Sequence, residues 1–138
     1  MTYLLDTNVV SELRRRQGSA AVKAWVGNQR TTDLFLSVIT ILEIETGILA
    51  VRRHDPHQAN LLQRWLEHAV LTGFADRILP LDLASVRRVA PLPVPARAPA
   101  HDALIAGTAL AHGMVVVTRN LPDFEGVERI NPWDATPA

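Results

Sequence analysis

The stretch Tyr3-Leu4-Leu5-Asp6-Thr7-Asn8 decides the fold. An apolar run ends abruptly in an acid, and Val9, Val10 and Leu13 follow at helical spacing. This predicts a buried parallel strand that delivers a carboxylate at its carboxyl end, with an amide two residues later. In open α/β sheets, ligands bind in the crevice beyond the carboxyl ends of the strands. Asp6 therefore stands where chemistry is expected. An acid directly after an apolar strand has little structural purpose there.

Outward from this stretch the pattern repeats. Strand-like runs fall at 34–38, at 78–81, where Pro80 suits only an edge, at 114–117 and near 128–130. The run Met114-Val115-Val116-Val117 is apolar throughout, as a strand covered on both faces should be. Helical periodicity occupies 8–16, 39–51, 58–71 and 100–111, with shorter helices behind the capping residues Ser19 and Asp82. Leu61, Leu62, Trp65, Leu66 and Ala69 form an apolar stripe of the kind that usually faces a core. The Pro-rich segment 91–99 reads as an extended loop. Strands alternating with helices predict an α/β fold, a parallel sheet with helices on both sides.

The chain has 138 residues, which predicts one domain over 1–138 with a fraying tail from about 134. Its formal net charge is zero, so no global field draws it onto nucleic acid. Thirteen of its fourteen basic residues are Arg, the exception being Lys23. Arg14, Arg15 and Arg16 close the first helix, where cations complement the helix dipole and Gly18 fits just past the end. The same planar forks suit phosphate, which makes the triplet a candidate RNA-backbone contact. Without Cys there are no thiolate metal sites, and His54, His57, His68, His101 and His112 are scattered. No apolar run approaches the roughly 18 residues of a membrane span, and Asp6 interrupts any signal-peptide core. A cytoplasmic location and no membrane contact are expected.

Four carboxylates hold suggestive positions: Asp6 at a strand end, Glu43 on a helix face shared with Ile39 and Gly47, Asp102 in a helix's first turn, and Asp123 in a loop after another strand end. Glu45, by contrast, points about 200° round its helix from Glu43. Each acid also has an ordinary explanation, such as capping for Asp102. Gathered together they would repel one another and raise their own pKa values. A hard divalent cation resolves this, and Mg²⁺, with Mn²⁺ as a substitute, prefers oxygen ligands shared with substrate phosphate. Bound so, it serves phosphodiester hydrolysis.

The motifs carry a family resemblance. Asp6-Thr7-Asn8-Val9-Val10-Ser11-Glu12-Leu13 resembles the opening of the PIN-domain family, in particular its VapC-like (FitB-type) toxins. The segment from Ser37 to Glu43, followed by Gly47, resembles the second motif, and the segment from Asp102 to Ala109 the third. The segment from Val117 to Phe124, with Ile130-Asn131-Pro132-Trp133, resembles the fourth and the end of the domain. The motifs span nearly the whole chain, in order. The resemblance implies a three-layer α/β/α fold around a central, mainly parallel twisted sheet of four to five strands. It implies a Mg²⁺-dependent endoribonuclease and toxin, a homodimer, and a small DNA-binding antitoxin whose tail covers the active site. Asp6, Glu43, Asp102 and Asp123 would be the catalytic metal-binding acids, the fourth falling in relatives at the position of either Asn120 or Asp123. Asn8, Thr118 and Asn120 would orient ligands or water. Gly107 stands where the family more often has Ala, a difference expected to matter little.

Two other readings stand beside this one. A receiver- or haloacid-type phosphoryl-transfer domain also places an acid at a strand end. It wants a second acid close by and a late lysine, whereas position 8 is Asn and the only Lys is Lys23. A catalytically inactive RNA-binding or interaction module on the same fold would keep some metal affinity without turnover.

Overall fold

The computed structural model describes residues 1–93 and 100–134. Five short strands form one sheet: β1 (Tyr3–Leu5), β2 (Leu34–Ser37), β3 (Ile78–Leu79), β4 (Val115–Val117) and β5 (Arg129–Ile130). Their order is β3-β2-β1-β4-β5 and every pairing is parallel. The registers Tyr3 against Leu34 and Leu5 against Val117 place β1 in the middle. The chain builds outward from β1 to one edge and then returns to β1's other side. That reversal opens a crevice at the carboxyl ends of β1 and β4.

Alternation along the strands separates two cores. Leu5, Leu34, Leu36 and Val117 face one side, while Leu4, Phe35 and Val116 face the other. Against the first side pack α1 (Thr7–Arg14), α2 (Ala20–Gly27), α3 (Val38–Arg52) and α4 (Pro56–Trp65), through residues such as Val9, Val22, Ile48 and Ala59. Against the second packs α6 (Ala100–His112), through Ile105, Ala106 and Ala109. Leu4, Leu5, Val116 and Val117 are fully buried, each stabilising the fold by about 1.5–3 kcal/mol. Helix starts follow their caps: Ser19 accepts from Val22 N, Ser37 from Ile39 N and Asp55 from Gln58 N. Among the described residues no helix is long and apolar enough to cross a membrane.

Several expectations need correction. The helix predicted over 58–71 begins earlier, at Pro56, and changes at Leu66 into a π-helical stretch (Leu66–Leu71). Leu66 and Val70 of this stretch are buried in the core, whereas Ala69, and Leu61 earlier in α4, are exposed, so the apolar stripe is only partly core. α1 stops at Arg14 with Arg15 extended; Gly18 folds back on that end, donating its N–H to the Arg15 carbonyl, and a Cβ there would stand 2.6 Å from the Glu12 carbonyl oxygen. Asp123 lies in a 3₁₀ turn (Leu121–Phe124) rather than an open loop. Gly107 matters a great deal. A Cβ there would stand 2.5 Å from the Ser85 carbonyl oxygen of α5 (Leu83–Arg87), because α5 lies directly on α6. Of the expected loop 91–99, residues 94–99 lie outside the described residues, as does the tail from 135.

Candidate active site

β1 carries its chain into the crevice and ends at Asp6, which is only 4% exposed. Asp6 has a structural purpose after all: its Oδ1 accepts from Thr7 N at 2.8 Å, capping α1. Its Oδ2 accepts from Thr118 Oγ1, at the end of β4, at 2.8 Å. Asn8 Nδ2 approaches the same oxygen at 3.3 Å and Thr118 Oγ1 at 3.4 Å. Thr118 is itself held by Asn120 N, which donates to its Oγ1 at 3.0 Å, and Asn8 Oδ1 accepts from Arg119 N at 3.5 Å. The three expected polar neighbours thus meet around Asp6, Asn120 through its backbone.

Glu43 reaches the crevice from α3. Thr7 Oγ1 donates to its Oε1 at 2.7 Å, and the fully buried Thr40 hydroxyl lies 3.0 Å behind Thr7 Oγ1. A hydroxyl has one proton, so Thr7 donating to Glu43 leaves Thr40 to donate to Thr7. Glu43 Oε2 is 3.5 Å from His101 Nδ1. Sequence reasoning assigned no role to Thr7, Thr40 or His101. Position beside Asp6 and Asp102 was the available signal for Thr7 and His101, and Thr40 offered none beyond lying one helical turn before Glu43.

The acids act on one another. Burial pushes the Asp6 carboxyl above its ordinary range, with the charges of Glu43 and Asp123 adding to it, while the Thr118 and Thr7 hydrogen bonds pull the other way. Asp102, 9% exposed in the first turn of α6, is pushed up to about 7. Burial is again the main cause, followed by the charges of Asp6, Asp123 and Glu43, and by a hydrogen bond to Asp123. This is a concentration of negative charge without its counter-charge.

Its donors are all oxygen, which fits Mg²⁺ or Mn²⁺ chemically. Among the described residues, however, no three His, Cys, Asp or Glu side chains close into a ready metal cage. Mg²⁺ does not need one, since it keeps several waters and takes one or two carboxylates plus substrate phosphate. The residues fit such a partly hydrated ion and would not fit a fully protein-ligated one.

The arginine triplet divides. Arg14 lines a cavity of about 230 Å³ together with Thr7 and Glu43, its guanidinium 5.9 Å from the Trp65 ring centroid. Arg15 pairs with Glu12 at 3.8 Å, and the Arg16 carbonyl accepts from Lys23 Nζ. Arg119, on the loop that carries Thr118, stacks over Trp133 at 5.1 Å.

Comparison with known proteins agrees with this architecture. The PIN domain family's sequence profile matches residues 3–129. The chain is 39% identical over 138 residues to VapC ribonuclease Y4jK of Sinorhizobium fredii, covering 95% of this chain and 97% of that one. It is 37% identical over 138 residues to Toxin FitB of Neisseria gonorrhoeae, covering 94% and 97% respectively. The solved structure of FitAB bound to an IR36 DNA fragment superposes with a TM-score of 0.87 at 34% identity, covering 99% of each chain. The expected three-layer fold is borne out, with five strands, all parallel.

Proposed function

The chain belongs to the PIN domain family, and from that premise we propose that it is a metal-dependent endoribonuclease, the toxin of a toxin–antitoxin pair. The observation that carries this reading is the gathering of uncompensated carboxylates at the β1–β4 crevice, where Asp6 and Asp102 are both buried and both pushed upward. The relatives' names, a ribonuclease and a toxin, supply the reaction class. The FitAB complex on DNA supports a small DNA-binding antitoxin as partner. A homodimer and a cytoplasmic location complete the proposal.

In this reading Asp6, Glu43, Asp102 and Asp123 hold Mg²⁺, or Mn²⁺ in its place. When bound, the ion supplies an activated water and charge stabilisation for phosphodiester hydrolysis. Asp6 presents an oxygen whose direction is set by Thr118 and Asn8, and Asn120 holds Thr118. Glu43 is aimed by Thr7. Arg14, Arg15 or Arg16 holds the RNA backbone, and Arg14 is the one that shares a cavity with Thr7 and Glu43. Asp102 must release its proton as the cation arrives, since a ligating carboxylate is ionised.

The second reading, an inactive module on this fold, draws on the lack of a three-residue metal cage among the described residues. One experiment separates the two. Purified protein and an identically prepared Asp6→Asn variant are incubated with tRNA, rRNA fragments and mRNA under Mg²⁺, Mn²⁺ or EDTA. Cuts that need metal and vanish in a folded variant are expected. A folded Asp6→Asn protein that cuts as fast as the parent would sink the proposal, and metal binding without turnover on any RNA would favour the inactive module.

A further inference from the structure

Within α3, which runs unbroken from Val38 to Arg52, Gly47 occupies a helix-interior position without visible need. Gly weakens a helix interior. Here no left-handed backbone calls for it, and a Cβ built on it would meet nothing within 4 Å. The space its missing side chain leaves open belongs to the 230 Å³ cavity, whose walls include Thr7 and Glu43 of the acidic site, Leu62, Trp65 and Arg14. That volume falls below the roughly 300–1,000 Å³ of sites for drug-sized ligands, and suits a single ring system.

Its chemistry narrows the occupant. The walls are mostly apolar, with one indole, one carboxylate and the two hydroxyls of Thr7 and Ser11. Arg14 is exposed, lies over Trp65, and among the described residues makes no ion pair. An unpaired cation beside a cluster of acids complements a ligand that carries its own negative charge. Unstacked RNA bases lie against aromatic rings and guanidinium planes, while their edges take hydrogen bonds. We propose that this cavity receives the base of the RNA nucleotide adjoining the cleaved phosphodiester, with Arg14 on that nucleotide's phosphate. The inference rests on the ribonuclease reading above, and names for it a subsite that requires an unpaired nucleotide.

Gly47→Leu tests it. The substitution has no steric obstacle at its Cβ, favours the helix, and adds a bulky side chain to a residue that lines the cavity. The probes are fluorescein-labelled single-stranded RNA oligomers, intact or with one abasic position, bound in EDTA and followed by anisotropy. Cleavage in Mg²⁺ is run in parallel. Gly47→Leu should melt at or above the parent's temperature yet bind intact RNA about tenfold more weakly. Removing one particular base should weaken the parent about as much and leave Gly47→Leu unaffected. Arg14→Ala should bind more weakly with a shallower salt dependence.

Equal RNA affinity for parent and Gly47→Leu, with the parent still cleaving, overturns the subsite and leaves the ribonuclease reading intact. A parent that binds RNA but cleaves none removes both. Gly47→Leu that keeps its RNA affinity but escapes inhibition by co-expressed antitoxin also overturns it, and assigns the cavity to a protein side chain.

Discussion

Thr118 Oγ1 donates to Asp6 Oδ2 across 2.8 Å, joining residues 112 positions apart. The bond exists because β1 and β4 are neighbours in a parallel sheet, with Leu5 opposite Val117. Each strand therefore ends at the same height and hands its next residue to the same crevice. The hydroxyl is fully buried and also accepts from Asn120 N. It ties the first and fourth motifs into one unit.

Replacing Thr118 by Val keeps the shape and removes the donor. Partners of metal ligands typically matter by roughly 10–100-fold in metal affinity or activity. A loss of that size is expected in Mn²⁺ affinity by calorimetry and in RNA cleavage, with Ser at 118 restoring most of it. Val at 118 with parental metal affinity would show that the bond serves folding alone.

The path from Thr40 through Thr7 to Glu43 makes a second prediction. Thr40→Val and Thr7→Val should each lower kcat about tenfold with little change in KM. Because they act on one carboxylate, the double variant should lose little more than either single one. Fully additive losses would mean that the two hydroxyls act separately.

Asp102 gives the metal-free protein a distinctive pH dependence. Its carboxyl rises from 3.8 to about 7 on folding, so between those values the folded form binds the extra proton. Stability contributed by this group is present at acid pH and is lost as pH rises through that window. The melting temperature in EDTA should therefore fall between about pH 4 and pH 7 beyond what other groups cause. Asp102→Asn should flatten that slope and raise the neutral-pH melting temperature by about 2–5 °C, the effect of roughly 1 kcal/mol at this size. An unchanged slope in the variant would remove Asp102 as its source.

Gly107→Ala reverses the usual sign of its substitution. Ala ordinarily favours a helix interior over Gly by up to about 1 kcal/mol. Here the new Cβ would be 2.5 Å from the Ser85 carbonyl, backbone that moves only if α5 moves. Overpacking of this kind costs about 1–3 kcal/mol, so the melting temperature should drop. A rise would mean that α5 shifts away without cost.

Much of this molecule was legible along the chain, because strands and helices announce themselves by local rules. The run before Asp6, the unbroken apolar Val115-Val116-Val117, and the capping residues Ser19 and Asp82 all read correctly from patterns a few residues long. The positions of Asp6 and Asp102 at element ends follow from the same patterns. What the one-dimensional pattern did not contain is which ends meet. Asp6 faces Thr118 because the strand order turns back at β1, and His101 faces Glu43 because α3 and α6 come together from opposite faces of the sheet. The π-helical turn at Leu66, the close approach at Gly107 and the space beside Gly47 likewise arise only when elements pack. Periodicity is a property of neighbours in sequence. Distance across a fold depends on sheet order and on helix packing, and both are decided by the whole chain at once.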